Sequence, residues 1–310
     1  MAAIAFAAAA GVAVGAMLLG DRGGDGDRPR GVPPFVVDLG VRSDPEAQAL
    51  RRAAQAYRGG EHVRAGRILA GRTSPQAEVG RALASWPEGS LARLEELARA
   101  HPRSGAVLFH LGLARFWDGD SDGALAAWRL TRQQDPDTVY AVRASDLVFR
   151  AFPPGRPTFV PSFGTNSAIS RLSPPQQLAA LARDARRDDV RAKLLYGVAL
   201  QRLERPISAQ QQFADAARLA PTNPETLVAD AVGRFDKARP AEAFSRLGPL
   251  TRRYPKAATV RFHLGVLLLW LSQLDEARRQ LRLAANLGQS PLSREANRLL
   301  ARLEDVRKPE

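Results

Sequence analysis

Cysteine is absent from the 310-residue chain. This absence excludes disulfides, thiolate metal ligands and a thiol nucleophile. Aromatic residues make up only 6% of the chain, so a core has to be built mainly from Ala, Leu and Val, a composition that favours helices over strands. Lysine is also scarce, and the net charge of +13 is carried almost entirely by arginines spread along the chain among Asp and Glu. Such a distribution makes nucleic acid a disfavoured partner.

Signatures of catalysis are equally scarce. The sequence contains no HExxH, GxSxG or P-loop motif. Two of the four histidines, His110 and His263, occur at the same place in two similar stretches, which indicates a repeat position rather than a metal cluster. Residues 118–123 match the first half of a calcium loop, but Arg129 stands where a bidentate glutamate is needed. We therefore expect neither an enzyme nor a cofactor or metal site.

The N-terminal segment from Ala2 to Leu19 contains no charge and no proline. As a helix it would span about 27 Å, close to the hydrocarbon thickness of a bilayer, which favours a single transmembrane anchor over residues 1–20. The alternative is a secretory signal peptide, cleaved at a small-x-small site at residues 14–16, that leaves a secreted protein. Basic residues follow the segment and none precedes it, so the body is expected on the cytoplasmic side of the cell membrane. Residues 21–43 are predicted to form a flexible linker, because Gly, Asp, Arg and Pro dominate their first half.

Two stretches of the chain resemble each other. Residues 108–135 and 261–285 both contain Phe-His-Leu-Gly, then a turn rich in Asp or Gln, then Ala with a large apolar residue four positions later. These marks resemble the tetratricopeptide repeat, a 34-residue helix pair. Units that begin at 105, 190, 224 and 258 place most of its small, apolar and proline positions, and the last three are spaced by 34 residues. The chain is thus similar to membrane-anchored bacterial members of that family.

The resemblance implies an all-α fold, a superhelical solenoid of about seven antiparallel helix pairs over residues 44–306 with a short tail at 307–310. The residue pattern agrees with this fold. Gly112, Gly197 and Gly265 are small enough for the two helices of a pair to approach closely, and a lone pair buries too little apolar surface to be stable without neighbours. Ser, Asp or Asn precedes proline at four expected helix starts.

One unit, residues 139–189, spans 51 residues instead of 34. Its helices are expected at 139–151 and 174–187, with the Pro-rich insert 152–173 between them. Prolines exclude a helix in the insert, yet four of its residues are too apolar for open exposure: Phe152, Phe159, Val160 and Phe163. The insert either folds back onto apolar surface of its own chain or forms a binding loop.

Helix A of each unit lines the concave side in this family, and repeat positions 5, 9 and 12 share one face of that helix. In three units these positions are apolar: Phe109, Leu113, Phe116, Val228, Val232, Phe235, Phe262, Val266 and Leu269. The resemblance implies that they form a groove for an apolar peptide or helix of a partner protein, rather than for a charged C-terminus. The alternative is that the chain covers these residues itself.

The sequence therefore predicts a membrane-tethered repeat scaffold or adaptor that binds other proteins. An assembly or accessory factor of an envelope complex is the second possibility, because only the identity of the partner separates it from a general scaffold. An arginine-based nucleic-acid or regulatory binder is the third possibility and the least favoured.

Overall fold

The structure is a computed structural model that describes residues 31–305, which form sixteen helices and no strand. The predicted all-α fold is confirmed for this part of the chain. The predicted anchor at 1–20, linker residues 21–30 and the tail at 307–310 lie outside the described residues. Among the helices within 31–305, none has the length and apolar character needed to cross a membrane.

The chain divides into two compact units, residues 1–155 and 156–310. The helices of the first unit are α1 (Pro45–Arg58), α2 (His62–Ile68), α3 (Pro75–Ala84), α4 (Ser90–Ala100), α5 (Gly105–Asp118), α6 (Ser121–Gln134) and α7 (Val139–Val148). Those of the second unit are α8 (Ser167–Ser170), α9 (Pro174–Asp184), α10 (Val190–Arg202), α11 (Pro206–Leu219), α12 (Pro224–Gly233), α13 (Ala241–Arg253), α14 (Ala258–Trp270), α15 (Leu274–Ala285) and α16 (Pro291–Asp305).

Alternate helices form the inner layer of each unit. In the first unit, α1, α3, α5 and α7 each pack on the next member of this set. The intervening helices α2, α4 and α6 do not contact one another within the described residues. Helices that meet on one side and separate on the other make a stack curve, so the alternate helices lie on its concave side. The second unit repeats this pattern with α10, α12, α14 and α16 inside.

Glycines bring the two helices of a pair close together. A Cβ atom added to Gly112 of α5 would lie 2.4 Å from Nε1 of Trp128 on α6. One added to Gly197 of α10 would lie 2.3 Å from Cε1 of Phe213 on α11, and Gly265 of α14 meets a leucine of α15 at 2.8 Å in the same way. Because side chains cannot approach so closely, a larger residue would force the pair apart. The predicted close approach at these three glycines is confirmed.

Side-chain oxygens cap the four predicted helix starts. Those of Asp44, Ser74, Asn223 and Ser290 each accept a hydrogen bond from a main-chain N–H in the next turn, at 2.9 to 3.3 Å. Proline follows each cap at the first helical position, where an N–H would have no partner inside the helix. These caps place the N-termini of α1, α3, α12 and α16 where the sequence predicts them.

Helices form at both places predicted within residues 139–189, but in the described part of the chain they do not pack on each other as a pair. The first helix, α7, ends at Val148 and belongs to the first unit, whereas α9 belongs to the second. The insert 152–173 therefore contains the boundary between the units. Pro153 and Pro154 explain why α7 stops short of residue 151, because proline cannot continue a helix and also disfavours helical backbone in the residue before it.

Candidate functional site: straps on the inner helices

An extended segment of the first unit lies along its inner helices. This segment, residues 32–39, is called the first strap; it contains no helix, and Pro33 and Phe35 are buried while the residue between them is only partly covered. Such alternation is expected for an extended chain with one face against protein. The ring of Phe35 lies against Gly80 of α3, where an added Cβ would be 2.6 Å from its Cζ, and its centroid is 5.9 Å from that of His110.

Main-chain groups of the first strap bond to side chains of the inner helices. The N–H of Val36 donates to Nε2 of His110 on α5 at 3.0 Å. The N–H of Asp38 donates to Oε1 of Gln76 on α3 at 3.0 Å and to the hydroxyl of Tyr140 on α7 at 3.1 Å. The Gln76 amide donates back to the carbonyl of Asp38 at 3.2 Å. The first strap thus ties together three inner helices of its unit.

The second unit carries an equivalent segment, residues 156–163, which is called the second strap. Pro157 and Phe159 are buried, and the residue between them is exposed. The Phe159 ring stacks on His263 of α14, with centroids 5.2 Å apart, and meets Phe213 of α11 edge-on at 5.4 Å. Phe159 is fully buried by these contacts, so it anchors the second strap to its unit.

Side chains of three inner helices hold the second strap. The N–H of Val160 donates to Nε2 of His263 at 2.9 Å. Gln201 of α10 accepts a bond from the N–H of the preceding residue at 3.1 Å and donates to its carbonyl at 2.6 Å. The N–H of Ser162 donates to Oε1 of Glu225 on α12 at 2.6 Å, and the hydroxyl donates to Oε2 at 3.1 Å. The second strap therefore spans α10, α12 and α14.

The two straps share two main-chain hydrogen bonds at the same spacing. In each, the residue after a buried phenylalanine donates its N–H to a histidine, and the N–H two residues later donates to the second residue of an inner helix. Residues 33–39 read PPFVVDL and residues 157–163 read PTFVPSF. The shared pattern is Pro-x-Phe-Val-x-[Asp or Ser]-[Leu or Phe]. This second repeat was not predicted from the sequence, although the two short stretches align residue for residue.

His110 and His263 hold the straps in the neutral form. In each, the Nδ1–H group donates to the main-chain carbonyl one turn earlier, that of Ala106 at 2.6 Å or of Thr259 at 2.7 Å. Nε2 is then the acceptor for the strap. Burial lowers the pKa of both histidines to about 4, because a charged ring would be desolvated, and the bonds to the carbonyls offset only part of this effect. The matching positions of the two histidines in the sequence reflect this shared bond.

An acid in the second unit takes the place that Gln76 has in the first. Burial raises the pKa of Glu225, and the two hydrogen bonds from Ser162 lower it by a smaller amount. Within residues 31–305, no group of three or more His, Asp or Glu residues is arranged to hold a metal ion. Chemically, each inner face offers hydrogen-bond acceptors beside an aromatic pocket, an arrangement suited to an extended polypeptide.

The nine residues predicted to line a groove all lie on inner helices α5, α12 and α14 or at their ends. Six of them are buried: Phe109, Leu113, Val228, Val232, Phe235 and Phe262. Three are partly exposed: Phe116, Val266 and Leu269. Phe109 and Leu113 belong to a core cluster of the first unit, and Phe262 belongs to one in the second, so these side chains stabilise their units. Their contact with a partner stays a prediction.

The flexible linker predicted over residues 21–43 is wrong for residues 32–39. Its glycines and prolines indicated disorder, but burial of Phe35 and the bonds to the inner helices order this part of it. In the insert, Phe159 covers apolar surface of its own unit, which is the first of the two alternatives considered for this segment. Val160, in contrast, remains 36% exposed.

These features define a helical-repeat protein of two units, each of which holds an extended segment on its inner helices. No protein-family model matches the sequence, and no curated protein matches it. Among solved structures, yeast Tom70 is similar with a TM-score of 0.32 and 12% sequence identity, over 84% of this chain and 55% of Tom70. The chain thus spans about half the length of that protein. At this score and identity the similarity carries no information about function, and the helical-repeat class follows from the helix packing itself.

Proposed function

We propose that this chain is a membrane-tethered scaffold of the tetratricopeptide type that binds extended segments of partner proteins on its inner helices. The straps carry the proposal, because the inner helices already hold extended polypeptide through its main-chain N–H groups. The repeat type is supported by the glycine crossings in the pairs α5/α6, α10/α11 and α14/α15. Residues 1–20 supply the tether, with the body on the cytoplasmic side.

The proposal includes no catalytic step. His110 and His263 are buried, and both nitrogens of each ring are engaged in hydrogen bonds. An imidazole in this state is poorly placed to transfer a proton to or from a substrate. A general scaffold and an assembly factor use the same surface, so identification of the partner decides between them.

Photo-crosslinking in native membranes tests the proposal. One chain carries the crosslinking side chain in place of Leu269, which is partly exposed on inner helix α14, and a control chain carries it in place of Leu283, which is 42% exposed on α15. We expect the probe at Leu269 to capture a defined protein that the probe at Leu283 does not capture. Equal capture at both positions, or none at Leu269, would contradict binding on the inner helices.

A further inference from the structure

We infer that the inner face of the second unit is a binding site for a partner segment of the pattern Pro-x-Phe-Val-x-[Asp or Ser], and that the second strap is a resident occupant that such a segment replaces. The inference rests on the proposed function and specifies the chemistry of the partner. The partner is a segment of another protein that lies extended and presents its phenylalanine to the pocket formed by Phe213 and His263.

The inner helices bind the residue pattern of a strap, whatever segment joins the strap to the next helix. The first strap is joined to α1 by residues 40–44. The second strap is joined to α9 by residues 164–173, which include the short helix α8. The two straps nevertheless share two main-chain bonds, one to a histidine and one to the second residue of the preceding inner helix. Their third ties differ, because the first strap bonds to Tyr140 on α7 and the second to Gln201 on α10. A segment that carries the pattern in a different chain presents the same groups, so it fits the same acceptors.

The hydrogen bonds and burial of the two straps define which residues a ligand can have at each position. The position two residues before phenylalanine is a buried proline in both straps, Pro33 and Pro157. The first and third positions after phenylalanine each donate an N–H, so proline is excluded there because it has no donor. The second position after phenylalanine is Val37 in one strap and Pro161 in the other, so no N–H is needed at that point. An apolar groove would not discriminate against proline at the first and third positions while accepting it at the second, so these preferences distinguish the two kinds of site.

The second strap can dissociate without unfolding the helices beneath it, because it is bonded to their side chains. Its main-chain N–H groups at residues 159, 160 and 162 bond to side chains of Gln201, His263 and Glu225. The helices keep their own internal hydrogen bonds when these contacts break.

Departure of the strap also breaks contacts at its flanks. The N–H of Gly155 donates to Oδ1 of Asp146 at 2.9 Å, and Arg191 donates to the carbonyl of Gly164 at 2.8 Å while its guanidinium lies 4.6 Å from the centroid of the Phe163 ring. None of these contacts is a hydrogen bond inside a helix.

Peptide binding to a strap variant tests the inference. In the full chain, Phe159→Ala removes the aromatic anchor of the resident strap and leaves the side chains of the inner helices intact. A fluorescent peptide with the sequence of residues 156–163 should bind this variant at least tenfold more tightly than the wild-type chain, in which the resident strap competes. Leu172→Ala, at a residue that is 39% exposed and outside the strap, is the matched control and should behave as the wild type.

Variant peptides test the rule for each position. A peptide with alanine in place of its phenylalanine should not bind saturably, and one with proline in place of the valine that follows should bind at least tenfold more weakly. A peptide with valine in place of the next residue, proline, should bind as well as the parent. Equal binding of all four peptides would overturn the inference, because an apolar surface without N–H acceptors would behave in that way.

A second variant keeps the test decisive if Phe159→Ala does not fold. Val160→Pro keeps the phenylalanine anchor but removes the N–H that bonds to His263. Hydrogen exchange of residues 153–166 should then be faster than in the wild type, and the parent peptide should accelerate it further while α10 and α12 stay protected. Exchange of the strap only together with these helices would overturn the inference. So would a folded Phe159→Ala variant that binds no peptide.

Two further outcomes identify a different occupant or a different error. A concentration-dependent dimer between Phe159→Ala chains and wild-type chains, seen by light scattering, would assign the site to a second copy and overturn the partner assignment. Capture by the Leu269 crosslinker without any peptide binding would overturn this inference and leave the proposed function standing. Peptide binding obeying the positional rule, with no protein captured in membranes, would support the site and remove the proposed scaffold function.

Discussion

Acidification should loosen the first unit through His110. Its pKa is about 4 in the folded chain, against an ordinary value of 6.5, so between these values the unfolded chain binds a proton that the folded chain does not. The contribution of the neutral His110 ring to the free energy of unfolding is therefore fully present above pH 6.5 and is lost as the pH falls toward 4. At pH 5.0 the loss is about 2 kcal/mol. In the neutral ring, Nε2 accepts a hydrogen bond from the N–H of Val36. Protonation places a hydrogen on Nε2, so this bond is lost and two N–H groups face each other.

Urea unfolding at pH 7.5 and pH 5.0 measures this loss. Of the four tryptophans, only Trp270 lies in the second unit, so a Trp270→Phe background makes tryptophan fluorescence report on the first unit. In that background, His110→Gln keeps an uncharged acceptor and removes the titration. We expect the parent to lose about 2 kcal/mol more than His110→Gln between the two pH values. Contributions from carboxylates occur in both proteins and cancel in this difference.

The equivalent variant of the second unit is the control. His263→Gln changes a histidine of the same kind, but outside the unit on which the fluorescence reports, and should leave the pH dependence of the first unit unchanged. Equal losses in the parent and His110→Gln would refute the reasoning, because they would mean that the buried ring contributes nothing to the pH dependence.

Three further predictions address the repeats, the core and the anchor. Gly265→Leu should destabilise the second unit by about 1–3 kcal/mol in urea unfolding, whereas Gly248→Leu should cost much less because an added Cβ there meets nothing within 4 Å. Phe235→Asp combined with Phe262→Asp should abolish folding of the second unit in circular dichroism, since both side chains are buried; normal unfolding with loss of partner capture would instead indicate an open groove. N-terminal sequencing of native protein should find residues 2–19 retained, and a start near residue 17 would indicate signal cleavage.

The helices were predictable because their signals are local. Ser74 and Asn223 precede proline at helix starts, and the spacing of Gly197 and Phe213 brings the small and large residues of one pair together. Caps and crossings of this kind depend on residues less than one repeat apart, so the printed sequence contains the information directly. The same holds for the placement of Phe109 and Phe262 on inner helices.

The straps were not predictable in this way because their partners are distant. Val36 bonds to a histidine 74 positions later, and Val160 to one 103 positions later. Locally, the prolines around Phe35 and Phe159 resemble those of a linker or an exposed loop, and composition alone gives no reason to bury them. The residues predicted to line a groove lie on inner helices or at their ends, but the segments that lie along those helices could not be inferred from helical periodicity.

The straps change how each unit should come apart. In a simple helical array each repeat touches only its neighbours, so the ends fray first and unfolding spreads inward. A strap that is bonded to three inner helices at once connects repeats that are not neighbours, and the loss of one helix then weakens the attachment of the others. Each unit should therefore melt as a single cooperative block. During synthesis the first strap cannot form its bonds to His110 and Tyr140 at once, because α5 and α7 leave the ribosome long after the strap does.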